Sequence, residues 1–147
     1  MAVDRIEREI TISASQDRVW AALTQAEHVA SWFGDSAEVD LRPGGKMVFS
    51  WKEYGNHHAV VERVEPPSFF SYRWGHGAEV EPGPGNSTLV EFTLIPDGAG
   101  TRLRVVETGF ASLKGTDEER ATAVKENTEG WASELGELQT YAEQLPS

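Results

Sequence analysis

Toward the C-terminus, Ala121, Val124, Thr128, Trp131, Leu135, Leu138, Ala142 and Leu145 recur at alternating steps of three and four residues. That period places them on one stripe of an α-helix. Thr116-Asp117-Glu118-Glu119 defines the start of this helix. The Thr116 hydroxyl can cap, Glu119 can reach back to complete a capping box, and the three acids sit at the positive end of the helix dipole. Gly130 and Gly136 fall inside the helix and each costs about 1 kcal/mol relative to Ala, which predicts close packing or a slight bend there.

A helix with one long apolar face has to be covered, and what precedes it reads mostly as strand. Alternating segments are predicted at about 37–41, 46–52, 57–65, 69–76, 87–95 and 101–108. They are separated by turn chemistry: Pro43-Gly44-Gly45, Tyr54-Gly55-Asn56, Pro66-Pro67 and Asp97-Gly98-Ala99-Gly100. Residues 75–86, rich in Gly and Pro, form the longest irregular stretch. Upstream, residues 5–13 open with β-branched strand character. Ser15 then caps a short helix with Val19, Trp20 and Leu23 on its apolar face, and Thr24 with Glu27 has the spacing of a capping box for a second helix that Gly34 stops. The expected fold class is therefore α+β, a curved antiparallel sheet wrapped around the C-terminal helix, with two short helices after the first strand. A sheet closing on one helix can leave a cavity between them, the usual setting for a small ligand.

Length and composition narrow the function. At 147 residues the chain suits one domain, 1–147, able to bury on the order of 70% of its unfolded surface. No apolar run approaches the ~20 residues of a membrane span, and the charged start lacks a secretory core, so a cytoplasmic location is expected. The absence of cysteine removes disulfides, thiolate nucleophiles and Cys-based zinc sites. A formal charge of −11, from 24 acidic and 13 basic residues, opposes nucleic acid and anionic membranes as partners. No nucleophile elbow, phosphate cradle or metal-ligand spacing occurs, so no cofactor and no metal is expected. His57 and His58 are strand neighbours pointing to opposite faces and cannot share an ion.

The order of elements, together with Val19-Trp20-Ala21-Ala22-Leu23-Thr24, His28-Val29-Ala30-Ser31-Trp32-Phe33-Gly34, Pro43-Gly44-Gly45-Lys46, Val64-Glu65-Pro66-Pro67, Thr101-Arg102-Leu103, and Gly130-Trp131 with Leu135 and Leu138, resembles the helix-grip fold of the START-like (SRPBCC) superfamily. Within it, the chain is similar to the bacterial single-domain branch of the activator of Hsp90 ATPase homologue 1-like family. The resemblance spans nearly the whole chain. It implies the fold, whereas the superfamily's roles range from lipid carriage and hormone reception to aromatic cyclisation and cochaperone action, so the site must decide function. The eukaryotic cochaperones of the family carry an additional N-terminal domain for which 147 residues leave no room, which weighs against chaperone activation.

Alternation assigns the candidate site. Phe70, Tyr72, Trp74 and His76 share one strand face, as do Met47, Phe49 and Trp51, and Leu103, Val105 and Glu107. With Phe33, Thr128, Trp131 and Leu135 they would line any cavity. These aromatics either fill a core or surround a ligand. The polar atoms of Tyr72, Trp74, His76, Glu107 and Thr128 favour a pocket, because a sealed apolar core would leave them unpaired. The leading expectation is reversible binding of a small apolar or aromatic molecule, with Phe33, Phe49, Trp51, Tyr72, Trp74, Trp131 and Leu135 giving contact area and His76, Glu107 and Thr128 orienting polar groups. A protein-interaction domain of the Hsp90-cochaperone kind is the second reading. A cyclase-type enzyme with an inward Glu107 as general base is the third, set against the alternative that Glu107 is a rim residue paired with Arg73 or Arg104.

Overall fold

The computed structural model describes residues 4–53 and 55–145. Strand β1 (Arg5–Ile12) is followed by helices α1 (Gln16–Thr24) and α2 (Ala26–Trp32). Strands β2 (Ser36–Val39), β3 (Lys46–Trp51), β4 (Gly55–Glu65), β5 (Phe69–Gly75), β6 (Ser87–Asp97) and β7 (Gly100–Thr108) come next, then a 3-10 turn at Phe110–Ser112 and helix α3 (Asp117–Gln144). The sheet is antiparallel, in the order β1-β7-β6-β5-β4-β3-β2. From β2 to β7 it is a meander, and β1 closes it by pairing along β7 from Arg5 opposite Thr108 to Ile12 opposite Thr101. A register shift between Val61 and Arg63 interrupts the β4–β5 ladder, a device that bends a strand. The curved sheet holds α3 against its concave face.

The inward sides of β3, β5, β6 and β7 are apolar and share one core with α3. Met47 and Phe49, Phe70 and Tyr72, Val90, Phe92 and Leu94, and Leu103 and Val105 are all buried, with Trp131, Leu135, Leu138 and Ala142 of α3 packed into the same core. Each such Leu, Phe or Val contributes about 1.5–3 kcal/mol through apolar area removed from water. Polar ties fix the C-terminal part of α3 to β1 and the residue after it: Gln139 Nε2 donates to the Thr11 carbonyl at 2.9 Å and the Ser13 N–H to Glu143 at 2.8 Å. The Trp32 indole joins the two short helices by donating to the Ala22 carbonyl at 2.7 Å.

The expected capping is present at two of three places. Ser15 accepts from the Arg18 N–H, and Thr116 with Glu119 forms the full capping box. Thr24, however, does not cap α2. Helix α1 runs through it, its hydroxyl donates back to the Trp20 carbonyl at 2.7 Å, and Gln25 both ends α1 and begins α2 without a side-chain bond. With no spare residue between the helices, the Thr24 side chain is committed to the first. On α3 the stripe also shifts in its opening turns: Ala121 is exposed and Ala123 takes the buried position. Gly130 and Gly136 are not tightly packed, since a Cβ at either would meet nothing within 4 Å. The turn expected at Tyr54-Gly55-Asn56 lies partly outside the described residues, as Tyr54 is not among them. No helix among the described residues is long and apolar enough to cross a membrane.

Candidate functional site: an aromatic cleft between sheet and helix

At the end of α2, Gly34 turns the chain with φ +89, and a Cβ there would come within 3.0 Å of the Ser50 carbonyl and 3.4 Å of the Trp51 ring. Only glycine suits that conformation and that approach. The turn delivers Phe33, buried, into the mouth between sheet and helix. Its ring lies 4.9 Å from Phe49, 5.1 Å from Trp51, 5.9 Å from Trp74 and 6.0 Å from Trp131, the last pair parallel to within 6°. Strand β3 supplies Trp51, β4 His57, β5 Trp74, and α3 Glu126, Asn127, Gly130, Trp131 and Glu134; together they enclose a cleft of about 500 Å³. The open space at Gly130 is part of this cleft.

Behind the cleft lies Glu107, with none of its surface exposed. Alternation along β7 turns it inward after Leu103 and Val105, but it is not a rim residue and neither arginine reaches it: Arg73 pairs with Glu62 and Arg104 with Glu7. Its partners are neutral donors from three elements. The Trp74 indole donates at 3.0 Å, the Trp131 indole at 2.8 Å, the Thr88 hydroxyl at 2.5 Å and the Asn127 amide at 3.0 Å. A carboxylate that only accepts is satisfied by such a set without a counter-charge. The arrangement also locks both indoles, which line the cleft, in one orientation.

The remaining expected residues are dispersed. Phe49 and Tyr72 sit deeper, against a void of only about 10 Å³ among Leu23, Val29, Trp32, Phe33, Met47 and Phe92, so the inner core is filled and the ligand-sized space is at its mouth. Burial, with Glu107 nearby, pushes the Tyr72 phenol well above its ordinary value. Leu135 is a core residue. Thr128 is satisfied within its own helix, donating to the Val124 carbonyl at 2.6 Å. His76 is exposed, because β5 ends at Gly75 and the side chain falls beyond the sheet, in a separate shallow groove with Thr116, Glu118, Glu119, Thr122, Ala123 and Glu126.

In its place the structure brings His57 to the cleft, 5.0 Å from Trp51 in edge-on contact. Its position was legible: His57, Ala59 and Val61 share strand parity, and the latter two are buried. Burial and the neighbouring His58 lower its pKa, against the opposing pull of Glu79, so the ring is neutral at pH 7. Glu126, Asn127, Gly130 and Glu134 were also missed. They lie beside Trp131 at helical spacing, on the polar flank of the stripe. Partial burial, reinforced by Glu137, raises the Glu134 carboxyl to about 6.

Residues 13–143 match the model of a family described as activator of Hsp90 ATPase homolog 1-like protein. The chain belongs to this family. Among solved structures of the fold, a protein from Mesorhizobium loti is 24% identical, with a TM-score of 0.80 over 97% of this chain and 99% of that one. The Aha1 dimer from Colwellia psychrerythraea is 19% identical, with a TM-score of 0.76 over 97% and 98%. CalU16 from Micromonospora echinospora is 26% identical, with a TM-score of 0.70 over 97% of this chain and 68% of its own. These likenesses carry the helix-grip fold of the START-like superfamily. No curated protein matches the chain.

Proposed function

We propose that this member of the family is a cytoplasmic container that reversibly binds a small, largely apolar and aromatic molecule in the cleft between sheet and α3. The observation that carries the reading is the pairing of about 500 Å³ of open space with the rings of Phe33, Trp51, Trp74 and Trp131, two of them held by hydrogen bonds to a buried carboxylate. Rigid aromatic walls lose little freedom when a ligand arrives, so more of the contact energy appears as affinity. Glu107 is a positioning residue here: its oxygens are covered, and a ligand proton in the cleft is separated from them by the side chains that donate to them. That geometry supports a binder over a cyclase using Glu107 as base.

A chaperone-type protein partner is the weaker reading. Interfaces are built around apolar cores, and Leu41 is the exposed large hydrophobic residue found among the described positions.

The test is a screen of aromatic metabolites, lipids and polyketide-like compounds by tryptophan fluorescence and thermal stability, with Gly130→Trp as the companion variant. A ligand at about 100 times its Kd adds about 2.7 kcal/mol of stability. Binding that is saturable in the native protein and lost in the filled variant supports the container. Equal binding by both proteins would place the ligand elsewhere, and no saturable ligand at all would contradict the reading.

A further inference from the structure

Among the described residues, the cleft is lined by acidic side chains and by no lysine or arginine. Glu126 and Glu134 flank Gly130 on α3, two helical turns apart and about 12 Å along the axis. Glu107 lies one layer behind, against the indoles of Trp74 and Trp131. His57 is neutral at pH 7 because burial and its histidine neighbour lower its pKa. The facing surface is aromatic. Ring faces carry the negative lobe of the quadrupole and attract ammonium groups. Two of these rings give their N–H to the Glu107 carboxyl oxygens, which pushes electron density onto the rings. Asn127 commits its amide nitrogen to Glu107, leaving its carbonyl oxygen as the group it can offer a ligand donor. An anion entering here would meet Glu126 and Glu134 with nothing to neutralise it, whereas a neutral ligand would leave that field unused. The net charge of −11 adds long-range attraction for cations.

Resting on the container reading, we infer that the cleft selects ligands bearing an ammonium group, protonated or quaternary, on an apolar or aromatic body. Aromatic walls take the body and share the cation with the acidic flank of α3.

The test compares three probes of similar shape at pH 7.5 and low ionic strength: benzyltrimethylammonium, its neutral carbon isostere neopentylbenzene, and the anion phenylacetate. Affinities are read by tryptophan fluorescence and calorimetry on the full chain and on the double variant Glu126→Gln/Glu134→Gln, whose side chains stand at the rim and outside the core. The cation is expected to bind about tenfold more tightly than the isostere and the anion most weakly, with the cation's advantage shrinking to about twofold in the variant and in high salt. Equal or tighter binding of the neutral probe overturns the inference and leaves the container standing. A preference unchanged in the double variant overturns the assignment to these carboxylates. Binding by none of the three contradicts inference and container together.

Discussion

Glu107 shows how a charged residue can be built into a core. A buried carboxylate is costly unless each lone pair finds a donor, and here Trp74, Thr88, Asn127 and Trp131 all donate to it. Replacing it with Gln keeps the shape but turns an N–H toward groups that are themselves donors, and one carbonyl cannot serve all four. Glu107→Gln is expected to destabilise the protein by about 2 kcal/mol in a denaturant titration, with an altered emission from the released indoles. Unchanged stability would mean that the network is incidental. Strand parity was enough to turn Glu107 inward from the sequence. Its donors were not legible, because they sit on β5, β6 and α3, far apart in the chain, and only the folded sheet brings them together. The misplacement of His76 has the opposite cause: parity was extended one residue past the strand end, where it no longer applies.

At the scale of elements, α3 has an apolar stripe that builds the core and an acidic flank that forms one wall of the cleft. The stripe was readable as periodicity. The flank was not, since Glu126 and Glu134 resemble any solvated helix face until a concave aromatic surface stands opposite. The strands were located to within about two residues by alternation and turn chemistry, whereas the α1–α2 junction was misread because sequence spacing cannot tell a capping threonine from one bonded within the preceding helix. The flank has a pH signature. Burial, then Glu137, raises the Glu134 carboxyl to about 6, against an ordinary unfolded value near 4.5. The folded state therefore prefers the protonated form, and this contribution to stability is complete below about 4.5 and lost as pH rises through about 6. Glu134→Gln should be more stable than the native protein at pH 7, with the advantage vanishing toward pH 4.5. Because the group is half-buried, water screens the effect to below about 1 kcal/mol. Paired thermal melts across that range check it, and an advantage that grows on acidification would reverse the assignment.

For the whole molecule, the meander from β2 to β7 and its closure by β1 hold α3 against a curved sheet, so packing fills the deep interior and leaves room at the mouth. Sequence patterns turned Trp51, Trp74 and Trp131, which line the cleft, toward the interior. They could not show that Phe49 and Tyr72 are consumed by the core while Phe33, Trp51, Trp74 and Trp131 remain at an opening, because that depends on how side-chain volumes sum across the strands and helices that meet there. The five tryptophans make this division measurable. In a nitrogen–proton correlation spectrum of the labelled protein, each of the benzyl probes can be titrated while the indole N–H signals are followed. The account predicts that Trp51, Trp74 and Trp131 shift together and saturably, while Trp20, beside Phe70, and Trp32, bonded to the Ala22 carbonyl, stay in place. Shifts confined to Trp20 and Trp32, or no saturable shift at any indole, would contradict the claim that this cleft is the binding site.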